Sequence, residues 1–310
     1  SEDLKVLAIS IVIDEASMLS LELFAGLLSK LPANCSLVLV SDPNQLSSVG
    51  TGNLIPELLE LGCPVTRLER QYRQSDNESA LFYNVVNYPK LSDSEELKFD
   101  DSFQLIPASE GDIFKVIQEE AVKRYLAGEN VQVIATTRAD VKKLNEALQQ
   151  VVNPPAEGKA EVTHNGITVR ENDRTMILKN NREERCFNGD IGTAHVEPME
   201  GGSAFIHIPL SANRQPKFFS AKIGSTLALA YALTVHKSQG SQYDTVIMPA
   251  STDCQKMLRR NLFYTAISRA KKQVILVGSK EALHIAMVTP PEPRKSMLVI
   301  KTHQKMHFAA

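Results

Sequence analysis

The sequence predicts an α/β protein with two regions of parallel sheet and a small β-rich insertion inside the second. Three observations carry that prediction. Almost wholly apolar runs of strand length alternate with helical patterns toward both ends of the chain, as parallel strands covered by helices require. The first two of these strands end in acidic residues. Between residues 157 and 222 the texture changes to short alternating runs broken by Asn-Gly and Gly-Gly turns, the pattern of a small barrel or β-rich module.

Taken in order, "ISIVID" reads as a buried strand that ends at Asp14 and Glu15. "LSLELFAGLLSKL" has the three-to-four apolar spacing of an amphipathic helix, and "CSLVLVSD" is a second strand ending at Asp42. The same alternation returns at "VQVIATT" and "ADVKKLNEALQQVV", then at "YDTVIMPA", "NLFYTAISRA" and "QVILVGS". Pro154-Pro155 marks the entry to the insertion, which contains "GITVRENDRTMILKNN", "FNGDIGTAHVEP" and "SAFIHIPL". The last stretch, with "TPPEPRKS", reads as a terminal extension of lower regularity.

Composition sets the outer limits. The 310 residues are 43% hydrophobic and 23% charged, values of an ordinary globular protein with room for two domains. No apolar run approaches the roughly 20 residues of a membrane span, and "SEDLKVLAIS" lacks the basic flank of a signal peptide. The cysteines Cys35, Cys63, Cys186 and Cys254 have no C-x-x-C spacing. That argues against a zinc site or disulfide frame and fits a reducing, cytoplasmic location. A net charge of -2 gives no overall footprint for nucleic acid, so any such binding needs a local groove.

Four strings carry chemistry. Asp14 and Glu15 stand with Asp42 and Gln45 at strand ends, where parallel sheets collect ligands. An acid that holds Mg²⁺ beside one that orients a water suits phosphoryl transfer, and a nearby Gln could report a γ-phosphate. The competing reading is a helix N-cap. "TVHKSQGSQYD" crowds Thr234, His236, Lys237, Ser238, Gln239 and Gly240 into one turn, which suits backbone approach to phosphates. "NLFYTAISRAKK" places Arg269 where it could neutralise transition-state charge in an adjacent domain, unless it is a solvated basic face with Lys271 and Lys272. "LERQYRQS" with Arg67, Arg70 and Arg73 is a surface cluster or a second cationic contact. Arg170, Arg174, Lys179, Arg182 and Arg185, offset by Glu171, Asp173, Glu183 and Glu184, read as a solvated face in preference to a DNA track. Tyr231, Tyr243 and His236 are candidates to stack on bases, although aromatics beside apolar strands are more often core.

Together and in this order, these strings resemble a known family. "IVIDEASM" resembles helicase motif II, "LVLVSDPNQLSSVG" motif III, "LERQYRQS" motif IV, "LTVHKSQGSQYD" motif V and "FYTAISRAKK" motif VI of the RecD-like, superfamily 1B DNA helicases. The likeness spans about residues 8 to 280. It implies two RecA-like domains, the first incomplete, and an SH3-like β-barrel insertion in the second. The expected division is 1–66 for the first motor domain, 67–156 with 223–288 for the second, 157–222 for the insertion and 289–310 for the extension. It also implies Mg²⁺ on Asp14, water activation by Glu15, γ-phosphate sensing by Gln45, and cationic contacts from Arg73 and Arg269. Asp42, Gln239 and Gly240 would lie at the nucleotide, and Thr234, His236 and Lys237 at single-stranded DNA. Relatives couple ATP hydrolysis to 5′-to-3′ movement on that strand in recombination or repair, some within helicase–nuclease assemblies such as exodeoxyribonuclease V.

Such motors grip the β- and γ-phosphates with a G-x-x-x-x-G-K-[ST] loop, and the sequence contains no such string. The family places that loop before motif II, and thirteen residues precede Asp14. The chain therefore reads as a C-terminal portion of such a helicase, a poor ATPase by itself. The alternative is a non-catalytic DNA-binding or partner-docking module that keeps the helicase fold.

Overall fold

The computed structural model describes residues 9–302 apart from 49, 51, 69, 71, 75, 92–95, 254–257, 295, 297 and 300. The acidic N-terminal stretch up to residue 8, Cys254 and residues 303–310 of the extension therefore lie outside the described residues.

The first apolar runs form β1 (Ser10–Ile13) and β2 (Ser36–Leu39), paired in parallel with Val12 opposite Val38. Between them runs α1 (Leu21–Leu28), started by the Ser20 hydroxyl, which accepts the Leu23 N–H at 3.3 Å. A further helix, α2 (Leu54–Glu60), follows. The sequence predicts strands buried on both faces, and these are not: Val12 is 64% and Val38 48% exposed, and α1 contributes no buried residue. Among the described residues, two strands and their helices are too few to cover both faces of a sheet.

The second unit has the layered core that the first lacks. Its elements are α3 (Ala80–Asn87), β3 (Phe103–Pro107), α4 (Ile113–Leu126), β4 (Val131–Ala135) and α5 (Arg138–Val152) before the insertion. The insertion supplies β5 (Glu161–His164), β6 (Ile167–Arg170), β7 (Arg174–Ile177), β8 (Ile191–Thr193), β9 (His195–Pro198), β10 (Ala204–His207), β11 (Lys217–Phe219) and β12 (Leu227–Leu229). After it come β13 (Ala232–Thr234), α6 (Val235–Ser238), β14 (Tyr243–Ala250), α7 (Arg260–Ile267), β15 (Ala270–Gly278) and α8 (Lys280–Val288).

The five main strands pair in the order β13-β4-β14-β15-β3, all parallel. Because successive side chains point to opposite faces, Val246, Met248, Val274 and Leu276 pack under α3, α7 and α8. Ile247, Ile275, Val277, Val131 and Val133 pack under α4 and α5. This explains why the strand runs read as continuously apolar. Tyr231 and Tyr243, considered as stacking platforms, are 3% exposed, so they belong to these cores instead.

In the insertion, β5 and β6 form a hairpin across Asn165-Gly166, both at positive φ, as the Asn-Gly signal requires. Its strands form three small antiparallel ladders, β5-β6, β12-β7-β8 and β11-β10-β9, around an apolar core that includes Val169, Ile177, Ile206 and Leu227. Part of its charge is structural. Arg170 is 5% exposed and pairs with Glu161 at 2.9 Å, and Asp173 is fully buried, so these two do not form a solvated face. Asp173 accepts from Gln149 and from Asn153 Nδ2 (2.7 Å) at the end of α5, from the Tyr231 hydroxyl (2.9 Å) and from the Arg170 N–H (2.7 Å). One carboxylate thus ties the insertion to α5 and to the approach to β13.

The extension is not idle. Arg294 donates to the carbonyls of Ser48, Gly50 and Gly52, and Ser296 donates to Glu57 at 2.8 Å, so the chain after α8 returns onto the first unit. No helix among the described residues is long and apolar enough to cross a membrane.

Candidate functional site

Asp14 follows the last residue of β1, and Glu15 turns the chain at φ 51°, ψ 38° into a one-turn 3-10 helix, Ala16–Met18. The left-handed backbone is uncommon for a residue other than glycine. The Glu15 N–H donates to Asp14 Oδ1 at 2.8 Å, and the Glu15 side chain caps nothing. The N-cap alternative therefore fails for Glu15, whose carboxylate is left available for other work. No group of three or more His, Cys, Asp or Glu side chains among the described residues could hold a metal. A carboxylate acting with a bound polyphosphate needs no such cage, because Mg²⁺ is usually held by one or two carboxylates plus substrate phosphates.

The centre of the site is Arg269. It sits between the end of α7 and the start of β15, and its side chain is fully buried. Its Nε donates to the Thr265 carbonyl at 3.1 Å, and one terminal nitrogen donates to Gln45 Oε1 at 2.8 Å and to the Ser268 hydroxyl at 3.1 Å. Among the described residues the other terminal nitrogen has no partner. Arg73 donates to the carbonyl of Ser268, the residue before Arg269. Burial, and then the charge of Arg73, hold the Arg269 guanidinium below its ordinary pKa, while Glu15, Tyr264 and Asp42 oppose them. The solvated-face reading therefore fails for Arg269. Of the arginines in "LERQYRQS", Arg67 and Arg70 are exposed and Arg73 is turned inward.

Further bonds fasten the first unit to the second around this pair. Asp42 Oδ2 accepts from Gln45 Nε2 at 3.3 Å and from the Tyr264 hydroxyl at 2.8 Å, and burial together with Asp42 raises the Tyr264 phenol. The Leu46 N–H donates to Thr265 Oγ1 at 2.8 Å, and Gln239 Nε2 donates to the Leu46 carbonyl at 3.0 Å. Glu15, Asp42, Gln45, Arg73, Gln239 and Arg269 are thereby drawn into one neighbourhood. Gly240 is exposed at φ 76°, with open space where a Cβ would stand.

Thr234 is the last residue of β13, and His236 and Lys237 lie on the single turn of α6 that follows it. Thr234 caps it by accepting the Lys237 N–H at 3.3 Å. His236 is exposed, yet partial desolvation and the charges of Arg294 and Arg138 hold its imidazole below the usual value. Desolvation and Arg138 likewise lower Lys237, whose Nζ reaches Asn188 Oδ1 of the insertion at 2.5 Å. Arg138, at the start of α5, and Arg294, in the extension, complete a basic patch that sequence reading missed. Neither lies in a recognised string, and only the fold brings them to α6.

Similar proteins share segments of this sequence and its fold. Residues 7–87 match the family described as an AAA domain, residues 144–201 the ATP-dependent RecD-like DNA helicase SH3 domain, and residues 229–277 the UvrD-like helicase C-terminal domain. The chain is 29% identical to the ATP-dependent RecD2 DNA helicase of Deinococcus radiodurans over 94% of its own length and 40% of the relative's. It is 27% identical to the RecBCD enzyme subunit RecD of Mycolicibacterium smegmatis, over 89% of this chain and 51% of that one. The chain thus spans about half or less of these relatives. Two solved structures share its fold: the Pif1 helicase from Bacteroides in complex with ADP-AlF3 and ssDNA (TM-score 0.57, 17% identity, 97% of this chain and 76% of that chain) and the Pif1 helicase from Candida albicans (TM-score 0.55, 15% identity, 97% and 77%). The fold is the α/β one expected, with RecA-like parallel sheet and an SH3-type insertion. In its domain matches and over most of its length, this chain is similar to the RecD-like DNA helicases.

Proposed function

We propose that the chain is the motor portion of an ATP-dependent DNA helicase that moves 5′-to-3′ on single-stranded DNA. The observation that carries this reading is the Arg269 guanidinium, buried against Gln45 of the first unit with Arg73 beside it and one nitrogen unpartnered. Two guanidiniums in a desolvated place repel each other unless an anion sits between them. A γ-phosphoryl group is such an anion, and stabilising its charge is most of what phosphoryl transfer asks of a protein.

The roles follow from position. Arg73 and Arg269 offset charge on the transferred phosphoryl, and Gln45, already bonded to Arg269, links that charge to the first unit. Glu15, whose side chain makes no cap hydrogen bond, orients the attacking water. Asp14 would hold Mg²⁺, which when bound neutralises phosphate charge. Asp42 positions Gln45 and Tyr264, and Gln239, with Gly240 next in the chain, reaches the Leu46 carbonyl beside Gln45. The basic patch of Arg138, His236, Lys237 and Arg294, with the Thr234-capped turn, contacts the phosphates of single-stranded DNA. Partner subunits of a helicase–nuclease assembly are a further expectation from the RecD relatives.

The 310 residues contain no G-x-x-x-x-G-K-[ST] loop, so these residues by themselves do not turn over ATP. The test is to supply a phosphate-loop segment, fused or in trans. Turnover stimulated by single-stranded DNA should appear, and Arg269→Ala should lower it about 10³-fold or more while leaving DNA binding intact. Equal turnover in Arg269→Ala would contradict the reading.

A further inference from the structure

Phe187 lies in the segment joining β7 to β8 of the insertion and is 52% exposed. A single exposed apolar side chain is commonplace and by itself means little. Two observations set this one apart.

The first is that it is held in place. Its N–H donates to Asp190 Oδ2 at 2.7 Å, and Asp190 also pairs with Arg214. Arg214 in turn donates to the Arg185 carbonyl at 2.8 Å and places its guanidinium 5.4 Å from the centre of the Phe187 ring. A cation over one face of an aromatic ring fixes it and leaves the other face for a second partner.

The second is what stands next to it. Asn188 accepts from Lys237 of α6 at 2.5 Å, and its own N–H is fixed by Asn180 at 2.8 Å. The ring therefore belongs to the residue next in sequence to a contact of Lys237. Lys237 donates to a neutral amide here rather than to a carboxylate, so its charge is not neutralised by that bond.

We propose that Phe187 is a stacking platform for a base of single-stranded DNA whose backbone crosses Lys237, so that the insertion reads the strand's bases while α6 holds its phosphates. This rests on the reading of α6 as a DNA contact. Stacking on an aromatic face tolerates any base, as a motor that must move along arbitrary sequence needs.

Two oligomers of equal length separate the contributions: oligo(dT), and an abasic strand that keeps the phosphates and lacks the bases. In fluorescence anisotropy with the 310-residue protein, Phe187→Ala should bind oligo(dT) roughly 5- to 100-fold more weakly and the abasic strand with wild-type affinity. The protein contains no Trp, so Phe187→Trp introduces the only indole, excited selectively over the tyrosines, which oligo(dT) should quench and the abasic strand should not. An equal loss on both strands, no loss on either, or an unquenched indole signal from the Phe187→Trp protein with oligo(dT) bound would overturn the platform. If Lys237→Ala loses DNA while the Phe187 variants behave as wild type, the platform alone falls. If wild type binds neither strand, the DNA reading of α6 falls and takes the platform with it.

Discussion

Arg269 of the second unit donates to Gln45 of the first across 2.8 Å, and both side chains are buried. This bond joins the turn after β2 to the connection between α7 and β15. It leaves one guanidinium nitrogen unpartnered beside a second arginine. A structural arginine would be expected to spend its donors, since a buried charge with an unmade bond is costly. The arrangement suits a residue kept for a ligand at some expense of stability.

That cost is measurable. Arg269→Met keeps most of the volume and removes the charge and its repulsion with Arg73. In the absence of nucleotide the lost repulsion should offset most of the cost of leaving the Gln45 and Thr265 oxygens unmet, so the net loss in urea unfolding should stay below about 1 kcal/mol. Charge-dependent binding of phosphate anions at the site should be lost. A loss of several kcal/mol would identify Arg269 as a structural residue.

Asp173 should behave in the opposite way. It is fully buried and accepts from Gln149, Asn153, Tyr231 and the Arg170 N–H. Asp173→Ala leaves those donors unmet and should cost about 3–5 kcal/mol in denaturant unfolding, since removing one buried member strands the others. A cost below about 1 kcal/mol would mean that the junction does not depend on this carboxylate.

Single-stranded DNA binding should tighten as pH falls. The His236 imidazole, partly desolvated and facing Arg294 and Arg138, sits below the ordinary value of 6.5 in the free protein, and a nearby phosphate would raise it. A proton is then taken up on binding, so affinity rises as pH drops through the bound-state value and levels off below the free-state value. The gain is at most about tenfold per pH unit for one group. Folding stability runs the other way, because the unfolded imidazole protonates first and stability is lost as pH falls from 6.5 toward the folded value. His236→Gln should flatten the binding profile in anisotropy titrations across that window; an unchanged profile would remove His236 from the interface.

How much of this is legible in the sequence depends on range. The parallel strands of the second unit and the β-rich insertion show plainly, because strand burial on two faces and Asn-Gly turns are local signals. The burial of β1 is overestimated, since apolar composition does not say how many neighbouring strands and helices are present to cover it. Arg269 stands out in its string, but its isolation from solvent and its bond to Gln45 depend on residues more than 200 positions apart. Asp173 looks like one charge among many because its donors come from α5, β6 and the approach to β13. Arg138 and Arg294 carry no local signal, and the extension's return to the first unit cannot be read from a stretch of Pro and charge.

The central claim is that a phosphoryl-binding site is assembled across two units from residues that include no phosphate loop. Steady-state ATP hydrolysis by the 310-residue protein, with and without oligo(dT) and beside Arg269→Ala, tests it most directly. The account predicts no turnover in either protein. DNA-stimulated turnover by the wild type, lost in Arg269→Ala, would show that these residues grip the phosphates unaided and would contradict it.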